Sequence, residues 1–128
     1  MIVLDTHIWI WWVHGDPHLP DDYRVYIDSQ PEIGVCAISC WEVAKLVEGR
    51  RINVSGSIDQ WLRQALSYPA VILLPLSPEV SAESTRLPGV FHRDPADQII
   101  VATARVYDCP LLTVDRRIRA YPNVRLGP

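Results

Sequence analysis

Four short runs, Ile2-Val3-Leu4, Ile33 to Ile38, Val71 to Leu74 and Leu111 to Val114, carry almost no polar side chains, and segments of helical character separate them. A strand with one face in water alternates apolar and polar residues; a run without that alternation must be covered on both faces. Fully apolar strands alternating with helices imply parallel strands joined by crossover helices. The expected class is a three-layer α/β/α domain with a central, mainly parallel sheet of four to five strands, Val124-Arg125-Leu126 being the short fifth. The helices are expected from Thr6 to about His14, closed by Gly15-Asp16-Pro17; from Pro20-Asp21-Asp22 through about Ser29; from a Ser39 cap to near Gly49; over Ser57 to Ser67; over Pro78 to Arg86; and from Asp94-Pro95 through about Tyr107.

The 128 residues correspond to one domain spanning 1–128. With 48% hydrophobic and 21% charged residues the chain can build a packed core and is not disordered. Its longest uninterrupted apolar stretch, Ile8 to Val13, falls far short of the roughly 20 residues of a membrane span. The start MIVLDTHIWIWWV has no cationic opening and no small-residue cleavage site, so it is not expected to act as a signal peptide. Cys36, Cys40 and Cys109 are an odd number without zinc-ligand spacing, so reduced thiols and a cytoplasmic protein are expected.

In open parallel sheets the functional crevice lies beyond the carboxyl ends of the strands. The acids gather there. Asp5 follows the first strand, Glu42 stands in the first turn of the helix after the second, Asp115 follows LLTV, and Asp94 and Asp97 open the long helix; Thr6, Ser39 and Thr113 are hydroxyls beside them. Carboxylates held together repel unless a cation sits among them, and hard oxygen donors suit Mg²⁺ or Mn²⁺. Such ions generate a hydroxide nucleophile and stabilise the leaving oxygen in phosphodiester cleavage. Each acid also has a structural role open to it. Ser39-Cys40-Trp41-Glu42 has the S-x-x-E form of a capping box, Asp94-Pro95-Ala96-Asp97 reads as an N-cap with Pro at the first helical position, and Asp5 and Asp115 suit loops or turns. No Walker loop, GxGxxG or Ser-His-Asp arrangement competes.

The net charge of −3 conceals a division. Setting aside the five clustered acids leaves ten acids against twelve bases, eleven of them Arg, so the remaining surface is mildly basic and suits a polyanion. Trp9, Trp11 and Trp12 cannot all lie on one side of a helix, so at least one should be exposed or at an interface. His7 and His92 flank the acids as rim residues able to touch substrate.

Three segments, VLDTHIWIWWVHGDPHL, SCWEVAKLVEGRRI and FHRDPADQIIVATARVYDCPLLTVDRRI, resemble in order the motifs of the PIN domain, and within it the VapC-type toxins of prokaryotic toxin–antitoxin modules. The resemblance runs from Ile2 to about Tyr121. It implies a metal-dependent endoribonuclease that cleaves single-stranded RNA, with Asp5, Glu42, Asp97 and Asp115 as catalytic residues holding Mg²⁺ or Mn²⁺. Asp94 would support Asp97 or reach metal through water. Where family members commonly carry Arg or Ala after the helix acid, this chain has Gln98. The resemblance also implies a homodimer and a cognate antitoxin lying near the first helices, with Trp9, Trp11 and Trp12 as contact candidates, and RNA approaching along Arg93, Arg116 and Arg117. Two alternatives stay open: a PIN-fold RNA- or DNA-processing nuclease without an antitoxin, and an acidic-pocket signalling module. The second is disfavoured because the only Lys is Lys45, on the helix after strand two, whereas a phospho-acceptor receiver needs one after a late strand.

Overall fold

The structure, a computed structural model, describes all of residues 1–128. Ile2, Val3 and Leu4 have no exposure to solvent, because the strand they form lies inside the sheet and is covered on both faces. The elements run β1 (Ile2–Leu4), α1 (Thr6–His14), α2 (Asp21–Asp28), β2 (Ile33–Cys36), α3 (Ala37–Glu48), α4 (Ile58–Ala65), β3 (Val71–Leu74), α5 (Pro78–Ser84), α6 (Pro95–Val106), β4 (Leu111–Leu112) and α7 (Arg116–Arg119). All strand pairs are parallel, in the order β3-β2-β1-β4, with Leu4 opposite both Val35 and Leu112. The expected fifth strand is reduced to a single parallel bridge, Leu111 to Leu126.

Alternation along the strands divides the core in two. Ile2, Leu4, Ile33, Val35 and Leu112 face the helices of the first half, packing with Ile8, Trp9, Tyr23, Ile27, Val43 and Trp61. Val3, Cys36, Leu74 and Leu111 face the other way, onto Ile100, Val101 and Ala104 of α6 and Ile118 of α7. This is the expected three-layer arrangement. Each local signal has its partner: Gly15 takes the left-handed conformation (φ 61°) that ends α1, Ser57 and Gln60 form a reciprocal capping box on α4, and Asp94 caps α6 ahead of Pro95.

Two expectations fail here. β2 stops at Cys36, two residues earlier than Ile38, so α3 begins at Ala37 and Ser39 lies inside its first turn; Cys36 is the N-cap, with no side-chain cap bond. Glu42 therefore falls in the second turn of α3, beyond the orphan backbone donors that a capping box would satisfy. The short helix α7, unforeseen in the sequence, is capped by Asp115. No helix is long and apolar enough to cross a membrane.

The chain adds β2 and β3 on one side of β1, then returns to place β4 on the other. The order thus reverses between β1 and β4, and the crevice beyond their carboxyl ends is where such sheets bind ligands.

Candidate active site

Asp5 emerges from β1 as the N-cap of α1. Its Oδ1 accepts the Thr6 backbone N–H at 2.9 Å and its Oδ2 accepts the Thr113 hydroxyl at 2.6 Å. Thr113, fully buried after β4, also accepts the Asp115 N–H at 3.0 Å through the same Oγ1, so one hydroxyl links two acids. Asp115 caps α7, its Oδ1 accepting from the N–H groups of Arg117 (2.8 Å) and Ile118 (3.3 Å).

Across the site, the Thr6 hydroxyl donates to Glu42 Oε1 at 2.5 Å and lies 2.8 Å from Ser39 Oγ. Thr6 has one proton and gives it to the carboxylate, so Ser39 donates to Thr6. The Ser39 hydroxyl thus serves this buried relay instead of capping α3, and Glu42 makes no capping bond. Asp94 caps α6 by accepting the Asp97 N–H at 3.0 Å, as its sequence position suggests. Asp97, one turn in, turns its Oδ2 to His92 Nε2 at 2.7 Å and stands 3.6 Å from Arg117 Nη2; the same nitrogen is 3.7 Å from Asp115 Oδ2.

The acids influence one another electrostatically. Burial is the largest influence on Asp5, Glu42 and Asp97, and it pushes all three carboxyls above the ordinary range, Glu42 to about 7. Repulsion adds to this: Asp5 feels Asp97, Glu42 feels Asp5, Asp97 and Asp94, and Asp97 feels Asp94 and Asp115. The hydroxyls of Thr113 and Thr6 and the ring of His92 pull the other way, each stabilising one carboxylate.

The donors are all oxygen, hard and in excess of the local positive charge, which fits a divalent cation such as Mg²⁺ or Mn²⁺. No set of three carboxylate, imidazole or thiolate groups converges closely enough to hold an ion by itself. Mg²⁺ does not ask for such a set, since it holds several waters and uses few carboxylates.

The remaining sequence candidates divide. His7 is exposed beside Asp5 and meets Trp11 edge-on at 6.1 Å between ring centroids. Arg93, Arg116 and Arg117 are exposed, and of these Arg117 reaches the acids. Trp9 is a correction: it has no exposed surface and packs edge-on against Trp61 at 5.1 Å, so it can offer nothing to a partner. Trp11, stacked on His18, and Trp12, which donates to Asp28 and meets Tyr68, are half-buried. Sequence reasoning missed the bond from His92 to Asp97, for which a spacing of five residues gives no signal. It also missed a groove of about 400 Å³ beside Glu42 and Asp94, walled by Ile38, Trp41, Pro95 and Ala96, where the Trp41 side chain is 57% exposed.

Comparisons with known proteins place the chain in a family. The sequence model of the PIN domain matches residues 2–124. Ribonuclease VapC22 of Mycobacterium tuberculosis (strain ATCC 25618 / H37Rv) is 35% identical over 124 residues, 97% of this chain and 94% of the relative. Among solved structures, a toxin-antitoxin complex from Klebsiella pneumoniae superposes with a TM-score of 0.70 at 21% identity, covering 97% of this chain and 95% of that one. VapBC2 from Rickettsia felis, bound to a DNA fragment from its promoter, gives 0.70 at 20% identity, covering 99% and 98%. At those identities the structural likeness speaks for the fold; the family model and the 35% relative, each spanning nearly the whole chain, speak for descent. The chain belongs to the PIN domain family and is of the VapC type.

Proposed function

We infer that this chain is an endoribonuclease toxin that hydrolyses phosphodiester bonds of single-stranded RNA with the help of Mg²⁺ or Mn²⁺, acts in the cytoplasm and is restrained by a cognate antitoxin. One observation carries the chemistry. Five acids, delivered by β1, α3, the start of α6 and the segment after β4, crowd into the crevice where the sheet reverses order, and three of them are held above their ordinary pKa by burial and mutual repulsion.

Asp5, Glu42, Asp97 and Asp115 would hold the ion; Asp94 would support Asp97, whose backbone N–H its Oδ1 accepts. When bound, the ion supplies an activated water and charge stabilisation for the phosphoryl oxygens. The protein's own part is positional. Thr113 fixes Asp5 and the Asp115 backbone together, and Ser39 and Thr6 fix Glu42. Arg117, 60% exposed at the mouth, is placed to meet a phosphate once the acids are neutralised. The groove walled by Val13, His14, Trp61, Gln64, Ala65 and Tyr68, with Trp12 against Tyr68, is a seat for an antitoxin segment on the side of the first helices. The 35%-identical ribonuclease and the VapBC-type neighbours support this reading, to which we add a homodimer as a further part of the proposal.

The test is cleavage of single-stranded RNA by the purified chain with Mg²⁺ or Mn²⁺ and with EDTA, using Asp97→Asn as control. Cleavage that stops with EDTA and is lost in the variant supports the reading; undiminished cleavage in EDTA refutes the metal chemistry. Co-expression with the product of a small reading frame just upstream should abolish cleavage. If no such frame exists, the chain is a PIN nuclease without an antitoxin.

A further inference from the structure

The segment from Thr85 to Asp94 is largely solvent-facing: Val90 is 94% exposed, and Arg93 and Asp94 are exposed. Phe91 and His92 turn inward, and the His92 side chain keeps only 18% of its exposure. Three contacts hold it. Its ring lies against Phe91 at 4.2 Å between centroids, and Phe91 packs edge-on against the buried Tyr121 at 4.8 Å. Its backbone carbonyl accepts the Gln98 amide at 3.1 Å, so the position that departs from the family's usual Arg or Ala clamps this histidine. The Tyr121 hydroxyl anchors the start of the same segment by donating to the Pro88 carbonyl at 2.5 Å. The imidazole ends with Nε2 2.7 Å from Oδ2 of Asp97.

An ionised carboxylate only accepts, so Nε2 carries the proton in that pair. Oδ2 has Arg117 as its other neighbour, at 3.6 Å, and Oδ1 of Asp97 accepts no hydrogen bond. A hydrogen bond to one oxygen of a ligating carboxylate fixes its plane and directs the other oxygen, the outer-shell role that metal sites depend on. This is a different task from meeting RNA at the rim, which the sequence suggested for His92.

We propose that His92 is a positioning residue of the nuclease site, its Nε2–H holding Asp97 by Oδ2 so that Oδ1 stays free for the divalent ion. The inference rests on reading the acids as a metal site. His92→Phe keeps a ring of similar shape against Phe91 and removes the donor. His92→Gln keeps an amide N–H at comparable reach, whereas His92→Asn is a methylene too short.

The experiment is calorimetric titration of the full chain with Mn²⁺ alone, followed by steady-state RNA cleavage. His92→Phe should bind Mn²⁺ about 10- to 100-fold more weakly and lose kcat by a similar factor, with KM for RNA changing by less than about twofold. His92→Gln should recover most of both, and His92→Asn should behave like His92→Phe, which keeps the test decisive if the Phe variant does not fold. Parental Mn²⁺ affinity in His92→Phe, with a lower metal-free melting temperature, would reduce His92 to a tie between loop and helix and overturn the proposal. A raised KM with unchanged Mn²⁺ affinity would overturn it in favour of an RNA contact. A parent chain that binds no Mn²⁺ would overturn the metal reading and this inference with it.

Discussion

Glu42→Gln separates electrostatics from folding at this site. Burial, with repulsion from Asp5, Asp97 and Asp94 added to it, lifts the Glu42 carboxyl from 4.5 to about 7 in the folded, metal-free chain. A carboxyl whose pKa is raised on folding binds its proton more tightly in the native state, so its contribution is fully present below about pH 4.5 and is lost as pH rises to about 7. At pH 8 the ionised group burdens the fold in full. One pKa unit corresponds to about 1.4 kcal/mol, but the side chain is only half-buried and solvent screens it, so about 1–2 kcal/mol is the reasonable size of the burden. Gln removes the charge and retains an oxygen to accept from Thr6, so the relay to Ser39 survives. For a domain of this length 1 kcal/mol moves the melting temperature by about 3–4 °C. The metal-free variant should therefore melt about 3–8 °C above the parent at pH 8, and the gap should close towards pH 4.5. Mn²⁺ should then stabilise the variant less than the parent, because a ligand is gone, and cleavage should fall by orders of magnitude. The assay is a set of thermal melts at pH 4.5, 6 and 8, with and without Mn²⁺. A variant that melts lower than the parent at pH 8, or whose advantage is the same at every pH, would refute the argument.

Asp94 and Asp97 should differ sharply. Asp94→Asn keeps the cap on α6 and should retain much of the cleavage and melt within a few tenths of a kcal/mol of the parent; Asp97→Asn should lose nearly all cleavage, and the reverse order in a single cleavage assay would show the two roles exchanged. Thr113→Val leaves the buried Asp5 carboxylate without its hydroxyl donor. It should cost about 1–3 kcal/mol in denaturant unfolding at neutral pH and weaken Mn²⁺ binding. Trp9→Ala empties a fully buried site against Trp61 and should cost about 3–5 kcal/mol while leaving the Mn²⁺ affinity of the remaining folded protein unchanged, as read by unfolding and titration.

The layers and the position of the site were legible because they follow from period and order. Apolar runs without alternation gave a doubly covered sheet, and each acid lay just past a strand or at a helix start. The boundary of β2 was not legible. Cys36 to Ile38 is apolar in either conformation, and the helix begins three residues early, moving Ser39 from a cap to a buried relay and Glu42 from the first turn to the second. β-strand and helix share apolar residues, and only tertiary packing chose between them here. Trp9 was misjudged for a related reason. Periodicity said that three indoles could not share a face, but not which one the core would take. The bond from His92 to Asp97 depends on how a loop folds back, which no local pattern encodes.

The hydroxyl of Thr113 meets Asp5 across 108 positions of sequence. Strand β1 is the first element of the chain and β4 its last strand, so pairing them closes a long loop, a step that is entropically costly and slow compared with local helix formation. A chain synthesised only as far as Asp97 already has three of its four principal acids, yet it lacks the strand, the hydroxyl and the fourth acid that complete the site. Until Leu111 to Asp115 have joined the sheet, Asp5 has no hydroxyl to orient it and the crevice has only one of its two walls.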